Sequence, residues 1–308
     1  MRVAGIQALS GPVELIDVAN PPAPAGDEVL IEVRAAGVAN WDDVVRRGDW
    51  DVGIGPPMAL GVEAAGVVAA VGDAVDGFSV GDEVLTHPLP LRGQGAWAAE
   101  LLAPAAQLAH KPESVSWAAA GAFPVPALTA AQSIDEALGV EHGETLLVNG
   151  AGGVTGSLLV SFGAVRGAEV IAIAGSAGHE YLRSLGAAQV FDYHDGTWPE
   201  EVRRITGGAG VDLAVNAVPG GSVDAIGLVH DDGRLVTITS DQPDPQRGIS
   251  TSTLYVRPDG PRLQEMVELL AADRLAIRVG STFSLADAAE ALATAVRGHA
   301  GGAIVIEI

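Results

Sequence analysis

The chain has 308 residues, no cysteine, and a formal net charge of −22 from 39 acidic and 17 basic residues. The lack of cysteine excludes disulfides, cysteine-ligated zinc and iron–sulfur clusters. The acidic charge disfavours nucleic acid and membranes as partners, and no apolar run reaches the roughly 18 residues of a membrane span. The start of the chain lacks a signal-peptide pattern, so we predict a cytoplasmic protein that acts on a small molecule.

Short strands separated by glycine turns are predicted for the first third of the chain. The stretch EVLIEVRAAGV (28–38) alternates polar and apolar residues, and GDEV (81–84) is typical of a turn that enters a strand. Close spacing of such strands predicts a small, partly open β-barrel. From Ser116 the chain becomes alanine-rich and helical in period, with breaks expected at Pro124 and Pro126.

Strands and helices alternate in the middle of the chain. This alternation predicts an α/β fold with a doubly wound parallel sheet whose strands are buried on both faces. The strands are expected at Thr145–Asn149, Glu169–Ala174, Gln189–Asp192, Asp212–Asn216 and Arg234–Thr239.

The last part of the chain returns to a different pattern. An amphipathic helix is predicted to start near Pro261, a second helix covers 285–299, and GAIVIEI (302–308) is a closing strand. We expect this strand to rejoin the barrel. The prediction is therefore a discontinuous catalytic domain of residues 1–118 and 251–308, interrupted by a nucleotide-binding domain of residues 119–250.

The stretch LLVNGAGGVTGS (146–157) lies between a predicted strand and a predicted helix. Ala151, Gly153 and Gly156 occupy the three positions of the dinucleotide fingerprint, with alanine in place of the first glycine. Small residues at these positions allow a tight turn, close approach of a diphosphate, and packing of helix on strand. The helix N-terminus adds free N–H groups and about half a positive charge.

The second strand of this domain, EVIAIAGSAGH (169–179), bears on the choice of cofactor. Proteins that bind NAD usually place an acidic residue at the end of this strand to hold the ribose 2′-hydroxyl. Residues 174–178 contain no acid, which permits a 2′-phosphate, and Ser176 and His179 could bind it. We therefore predict NADPH rather than NADH, with NADH as the open alternative because the loop contains no Arg or Lys.

Several stretches together resemble the medium-chain dehydrogenase/reductase superfamily, specifically its zinc-free quinone oxidoreductase-like branch. They are LGVEAAGVVAAVG (60–72), FSVGDEV (78–84), YLRSLGAAQVFDY (181–193), VDLAVNAVPGG (211–221) and RLVTITS (234–240). The resemblance implies a GroES-like barrel domain joined to a Rossmann domain. Zinc-dependent members have metal ligands where this chain has Ala39 and Val62, so the resemblance implies no zinc and no metal site.

The resemblance also implies an activity, namely hydride transfer from NADPH to quinones or to α,β-unsaturated carbonyl compounds such as enals, enones and enoyl thioesters. A homodimer through the sheet edge at 234–239 is implied as well. The cofactor-binding residues that it implies are Thr129, Ala151, Gly152, Gly153, Val154, Gly156, Ser176, His179, Tyr193, Ala217, Val218, Ile238 and Thr239.

The stretch ANWDDVVRRGDW (39–50) corresponds to the substrate loop, and Asn40, Trp41 and Asp42, with Thr129, are the predicted catalytic-region residues. Trp41 could stack on a planar substrate or simply fill the core, and Asp42 could instead cap a helix. His87 could donate a proton or only pack. The alternative function is a low-turnover NAD(P)H-binding sensor or structural protein.

Overall fold

The computed structural model describes residues 1–298 and 301–308. Its strands are β1 (Arg2–Ile6), β2 (Glu14–Asp17), β3 (Glu28–Val38), β4 (Met58–Ala59), β5 (Ala64–Val71), β6 (Glu83–Thr86), β7 (Glu100–Pro104), β8 (Leu108–His110), β9 (Thr145–Asn149), β10 (Glu169–Ala174), β11 (Ala187–Asp192), β12 (Val211–Asn216), β13 (Val229–Thr237), β14 (Ser250–Thr253), β15 (Val279–Ser284) and β16 (Ala303–Glu307).

The α-helices are α1 (Asn40–Arg47), α2 (Trp117–Gly121), α3 (Pro124–Ala131), α4 (Val154–Val165), α5 (His179–Ser184), α6 (Trp198–Ile205), α7 (Ser222–Ile226), α8 (Gly260–Ala271) and α9 (Ala288–Arg297). A π-helical turn, Gln132–Ala137, continues from α3. Within the two described ranges, no helix has both the length and the apolar composition required to cross a membrane.

The chain forms two compact units. The first unit is Met1–Leu128, Arg257–Ala272 and Ile277–Ile308, and the second unit is Thr129–Val256 and Asp273–Ala276. The divisions therefore fall after Leu128 and Val256, where the sequence predicts boundaries after residues 118 and 250. The first shift has a physical reason, because α2 packs against the barrel strands β3 and β5.

The first unit contains two sheets among the described residues. One has the order β2-β1-β4, and the other has the order β15-β16-β3-β5-β6-β8, with β7 also paired to β3. The pairs are antiparallel except β15 with β16. The closing strand β16 pairs with β3, placing Ile304 opposite Val38, so the predicted return of the chain end to the barrel is confirmed.

The helical segment after Ser116 differs in one respect from the prediction. The Ser116 hydroxyl accepts the Ala119 N–H at 3.2 Å and starts α2, and the chain then breaks before Pro124 as expected. Pro126 does not break the helix, so that part of the prediction is wrong. It lies in the first turn of α3, where a missing N–H costs no intrahelical hydrogen bond.

The second unit holds a parallel sheet with the order β11-β10-β9-β12-β13-β14 over the residues that the structure describes. Strands β9 and β10 have the predicted bounds, whereas β11 and β12 start two residues and one residue earlier. The chain runs outward from β9 in one direction and from β12 in the other. The switch point of this doubly wound sheet therefore lies between β9 and β12.

The predicted dimer edge at 234–239 is corrected by the structure. These residues belong largely to β13, and β13 pairs on its far side with β14, where Thr237 lies opposite Thr253. The edge strand is therefore β14, which was not predicted because Ser-Thr-Ser-Thr carries no apolar alternation. The helix predicted over 285–299 is a 3-10 turn at Leu285–Asp287 followed by α9, and its last residue, His299, lies outside the described residues.

Candidate functional site

The glycine-rich turn of the second unit lies at the switch point of the sheet. Strand β9 ends at Asn149, Gly150 takes a φ of 88°, and α4 starts at Val154. A Cβ on Gly156 would overlap the carbonyl oxygen of Gly150, so only glycine permits this close approach of helix and turn. Gly153 is the N-cap of α4 and offers no side chain to the free N–H groups of the first turn.

Open space above the turn fits a diphosphate. Gly152 and Gly153 are exposed. A Cβ on Gly152 would meet only Ala174 Cβ at 3.5 Å, and one on Gly153 only the Gly150 carbonyl oxygen at 3.8 Å. The loop therefore presents bare backbone, and the twelve-residue helix α4 supplies N–H groups and a positive dipole end for anionic oxygens. These residues fit the dinucleotide that the fingerprint predicts.

Two asparagines join the strand ends at the switch point. Asn149 Nδ2 donates to Asn216 Oδ1 at 3.0 Å, and both side chains are buried. Asn216 Nδ2 also donates to the Val218 carbonyl at 2.9 Å, and the Ala217 N–H donates to the Asn149 carbonyl at 2.8 Å. The loop that was predicted to pass the nicotinamide half is thus held against the end of β9.

Asp241 collects hydrogen bonds from the loops that follow β12 and β13. Thr237 Oγ1 donates to its carboxylate at 2.5 Å, Thr239 Oγ1 at 2.7 Å, and the Ser222 N–H at 3.2 Å. Asn216 Nδ2 lies 3.2 Å from the same carboxylate. Partial burial alone would raise the pKa of Asp241, but the hydroxyl and N–H donors outweigh it and lower the pKa to about 2.

The predicted ribose end of the site contains a carboxylate from the next strand. The Ser176 N–H donates to Asp192 Oδ2 at 3.1 Å, because the parallel register places Asp192 opposite Ala174. The His194 N–H and ring hold Asp192 Oδ1 at 2.9 and 2.7 Å and lower the pKa of Asp192. Tyr193 is half exposed and stacks on His194, with ring centroids 4.0 Å apart.

Apart from Thr129, the other predicted cofactor residues lie in or next to the loops at the same carboxyl edge of the sheet. Ala151 and Gly156 are fully buried and contribute backbone only, whereas Ser176 and Val218 are exposed and Val154, His179, Ala217, Ile238 and Thr239 are half-buried. Thr129, in α3, is 8% exposed. The structure therefore brings the glycine turn, the 217–218 loop and the 238–239 loop together around one switch point.

The predicted substrate loop of the first unit forms the short helix α1. Asn40 is exposed at its start, and Trp41 is half-buried with a buried Nε1 that has no hydrogen-bond partner among the described residues. Asp42 is fully buried, and its Oδ2 accepts the Ala39 N–H at 2.8 Å. The structure thus gives Asp42 the capping role that was the alternative to catalysis.

Asp42 and Glu63 are buried carboxyl groups with few donors. Burial raises the pKa of Asp42 to about 7, although its bond from the Ala39 N–H acts in the opposite direction. Glu63 Oε2 accepts the Val125 N–H at 2.8 Å, and burial raises the pKa of Glu63 well above the ordinary value. Asp42 adds to that upward shift of the Glu63 pKa through like-charge repulsion.

His87 is buried beside Trp50 and cannot be the proton donor that the sequence allowed. Its Nδ1 lies 2.7 Å from the Val62 carbonyl, which only accepts, so Nδ1 carries the proton. Burial lowers the pKa of His87 to about 4, which leaves Nε2 as a bare lone pair near neutral pH. This Nε2 is buried without a partner among the residues described, and it can accept a hydrogen bond but not donate one.

Zinc does not fit the side chains present. The Ala39 and Val62 side chains have no donor atoms, and the Glu63 carboxyl group accepts the Val125 N–H. No group of three or more His, Cys, Asp or Glu side chains with metal-binding geometry occurs in residues 1–298 and 301–308. The donor set therefore does not provide the three protein ligands of a catalytic zinc site.

The fold and the glycine turn define a nicotinamide-dependent dehydrogenase-type protein. Residues 25–113 match the alcohol dehydrogenase GroES-like domain, and residues 185–306 match the zinc-binding dehydrogenase family. With the relatives and structures described next, these matches show that the chain belongs to the medium-chain dehydrogenase/reductase superfamily, as the sequence motifs indicate.

The chain is 34% identical to erythronolide synthase EryA2 of Saccharopolyspora erythraea over 98% of its own length, but it spans only 9% of that protein. It is 30% identical to the crystal structure of an NAD-dependent alcohol dehydrogenase, with a TM-score of 0.88 and 100% of both chains covered. It is 25% identical to the quinone oxidoreductase of Pseudomonas syringae pv. Tomato DC3000, with a TM-score of 0.88 over 100% of this chain and 99% of that one.

Four polar residues of the site were not predicted from the sequence. Asn149 and Asn216 each end an aliphatic strand, and a polar residue at that position was a usable signal. Asp192 also ends a strand, but only the parallel register shows that it reaches the neighbouring loop. Asp241 has partners up to 25 residues away in the chain and no local signal at all.

Proposed function

We propose that this chain is a zinc-independent, NAD(P)H-dependent oxidoreductase that delivers hydride to quinones or to α,β-unsaturated carbonyl compounds. The observation that carries the proposal is the open glycine turn at the N-terminus of α4, beside the switch point of the parallel sheet. Such a turn binds the diphosphate of a dinucleotide and orients the rest of the cofactor along the strand ends.

The residues of the second unit bind and orient, while the cofactor, when bound, supplies the hydride. The N–H groups at the start of α4 hold the diphosphate. Asn149 and Asn216 fix the 217–218 loop, and Thr239 and Asp241 fix the loop after β13, so both loops form a rigid wall for the nicotinamide half. A rigid wall lowers the entropy that must be lost to align donor and acceptor.

Zinc independence is supported by the donor set of the first unit. The zinc-dependent enzymes that the sequence resembles have metal ligands at the positions of Ala39 and Val62, and neither side chain here has a donor atom. Because His87 presents a lone pair, the proton that follows hydride addition to a conjugated carbonyl comes, in this proposal, from solvent.

The substrate class is supported by relatives, since one similar structure is a quinone oxidoreductase and similar polyketide synthases are larger proteins that contain a matching region. Quinones and conjugated carbonyls both accept hydride without prior metal activation. We therefore propose this class for the chain, in a cytoplasmic protein that forms a homodimer.

The choice between NADPH and NADH depends on Asp192 in this proposal. The prediction of NADPH relied on the lack of an acid at 174–178, and it remains the proposal for a loop with Ser176 and His179 as ligands of a 2′-phosphate. The carboxylate of Asp192 on the Ser176 N–H opposes that phosphate and suits a 2′-hydroxyl, so NADH is the specific competitor.

The test is cofactor oxidation, followed by the loss of dihydronicotinamide absorbance, with 1,4-benzoquinone, an enal and an enoyl thioester as acceptors. Turnover with at least one acceptor, unchanged by a metal chelator, supports the proposal. The alternative, a low-turnover sensor, requires tight NAD(P)H binding without oxidation by any acceptor. Activity that a chelator abolishes and zinc restores would contradict zinc independence.

A further inference from the structure

The Asp241 carboxylate is an anion held entirely by neutral groups. Its donors are two threonine hydroxyls, the Ser222 N–H and the Asn216 amide. No Lys, Arg or His among the described residues forms an ion pair with it. Neutral donors stabilise the ionised form but leave its net charge in place, so a negative field remains at this edge of the sheet.

The position of this charge relative to the proposed cofactor site follows from its contacts. Thr239 donates directly to Asp241, and the Ile238 N–H donates to the Asn216 carbonyl at 3.0 Å. The same Asn216 holds the Val218 carbonyl with its amide. Asp241 is therefore one hydrogen bond from the 238–239 loop and, through Asn216, two hydrogen bonds from the 217–218 loop.

The chemistry of the nicotinamide ring makes such a charge consequential. When hydride leaves C4 with its two electrons, the neutral dihydropyridine becomes a pyridinium with one positive charge. The acceptor gains the hydride, and a solvent proton completes its reduction. A fixed negative charge nearby lowers the free energy of the pyridinium relative to the dihydropyridine.

We propose that the negative charge of Asp241 tunes the cofactor site. With this charge, the site prefers the oxidised nicotinamide over the reduced form more strongly than it would without the charge. The proposal rests on the proposed function, because it requires that the cofactor binds at this switch point. Asp241 would then favour donation of hydride by the bound cofactor over uptake of hydride by it.

A purely structural role for Asp241 makes a different prediction. If the carboxylate only ties the two loops together, its loss weakens both redox forms of the cofactor by the same factor. If its charge acts on the ring, neutralisation weakens the oxidised form selectively. The ratio of the two dissociation constants therefore separates the two roles, and it does not depend on turnover.

The experiment measures dissociation constants of the oxidised and reduced forms of the preferred cofactor by calorimetry, for the full chain and for Asp241→Asn. Because the charge acts on the ring through a partly solvated site, D241N weakens binding of the oxidised form about fivefold and binding of the reduced form less than about twofold. D241S is the second variant if D241N does not fold, since it removes the same charge.

Two matched controls complete the design. Thr237→Val removes the 2.5 Å hydrogen bond but keeps the charge, so its ratio of constants stays at the wild-type value. Glu200→Gln removes one exposed carboxylate from α6, and its ratio also stays unchanged. Equal shifts of both constants in D241N, or no shift, overturn the inference while leaving the proposed function intact. Failure of the wild-type chain to bind either form overturns both.

Discussion

The pKa values of carboxyl groups shift in opposite directions in the two units. In the first unit, Asp42 and Glu63 are buried, and burial raises their pKa values even though backbone N–H groups donate to both. In the second unit, Asp192 and Asp241 receive several donors at the carboxyl edge of the sheet, and these donors lower their pKa values. Deep burial dominates the pKa shift in the first unit, whereas hydrogen-bond donors outweigh slight burial in the second.

This contrast suggests different functions for the two units. The buried carboxyl groups of the first unit are polar parts of the core, and Asp42 accepts the Ala39 N–H at the start of α1. The ionised carboxylates of the second unit lie along the edge where a parallel sheet binds its ligand, and in our proposal they act on that ligand through charge. The predictions below test each side of the comparison.

The largest effect is expected for Gly156→Ala in the second unit. Its Cβ would overlap the Gly150 carbonyl oxygen and come within 2.8 Å of the Ala151 Cα, so helix and turn must separate. We expect a loss of about 3 kcal/mol in the free energy of unfolding and loss of cofactor binding. Denaturant unfolding measures the first and calorimetry the second. Gly152→Ala, which meets only Ala174 Cβ at 3.5 Å, is the fold control and should unfold like the wild type.

Asp42→Asn tests the buried carboxyl groups of the first unit. The folded-state pKa of about 7 lies above the unfolded value near 3.8, so the Asp42 contribution to stability is complete below pH ~4 and is lost as the pH rises to ~7. Asparagine still accepts the Ala39 N–H. We expect D42N to be more stable than wild type at pH 8 by about 2–4 kcal/mol, with little difference at pH 4. Denaturant unfolding at both pH values measures this, and equal stability at pH 8 would show that Asp42 is not a buried neutral acid.

Trp97→Phe tests a buried donor in the same unit. The indole Nε1 of this fully buried residue donates to the Gly37 carbonyl at 3.0 Å, and phenylalanine leaves that carbonyl unpaired. We expect a loss of about 1–3 kcal/mol in the free energy of unfolding, with cofactor affinity unchanged. A change in cofactor affinity without a change in stability would be inconsistent with a structural role for Trp97.

Asp192→Asn tests the charged carboxylates of the second unit at the ribose end. Removing the charge beside the Ser176 N–H should raise affinity for NADPH relative to NADH by about tenfold, since the 2′-phosphate no longer faces an anion. Competitive titration with the two cofactors measures the ratio. Asp195→Asn, which removes the exposed carboxylate bonded to Thr197, is the matched control and should leave the ratio unchanged.

Much of the fold could be predicted from the sequence because its signals are local. The aliphatic runs that became β9 and β10 have the predicted bounds, and the glycine turn lies where the fingerprint indicates. Local signals failed where polar residues form strands. The start of β13 was not predicted because this strand contains a polar Asp-Asp-Gly segment. Strand β14, which forms the sheet edge, was not predicted because its sequence is Ser-Thr-Ser-Thr.

The candidate site was predictable only in part, for a similar reason. The exposed backbone of the turn at Gly152 and Gly153 can be predicted from the types of residue in the motif and their order. Side-chain charge depends on partners that only the folded chain assembles, as when Ser222 and Thr237 meet Asp241 or when the register brings Asp192 to Ser176. The tautomer of His87 likewise depends on the Val62 carbonyl, 25 residues away in the chain.

The most direct test of the account is a calorimetric titration of the full chain and of Gly153→Ala with NADPH and NADH. A Cβ at Gly153 meets no protein atom closer than 3.8 Å, so thermal unfolding should be unchanged, while a diphosphate seated on the turn would collide with it. We predict saturable binding by the wild-type chain and at least about tenfold weaker binding by G153A. Wild-type chain that binds neither cofactor, or G153A that binds as tightly as wild type, would contradict the claim that this turn holds a dinucleotide.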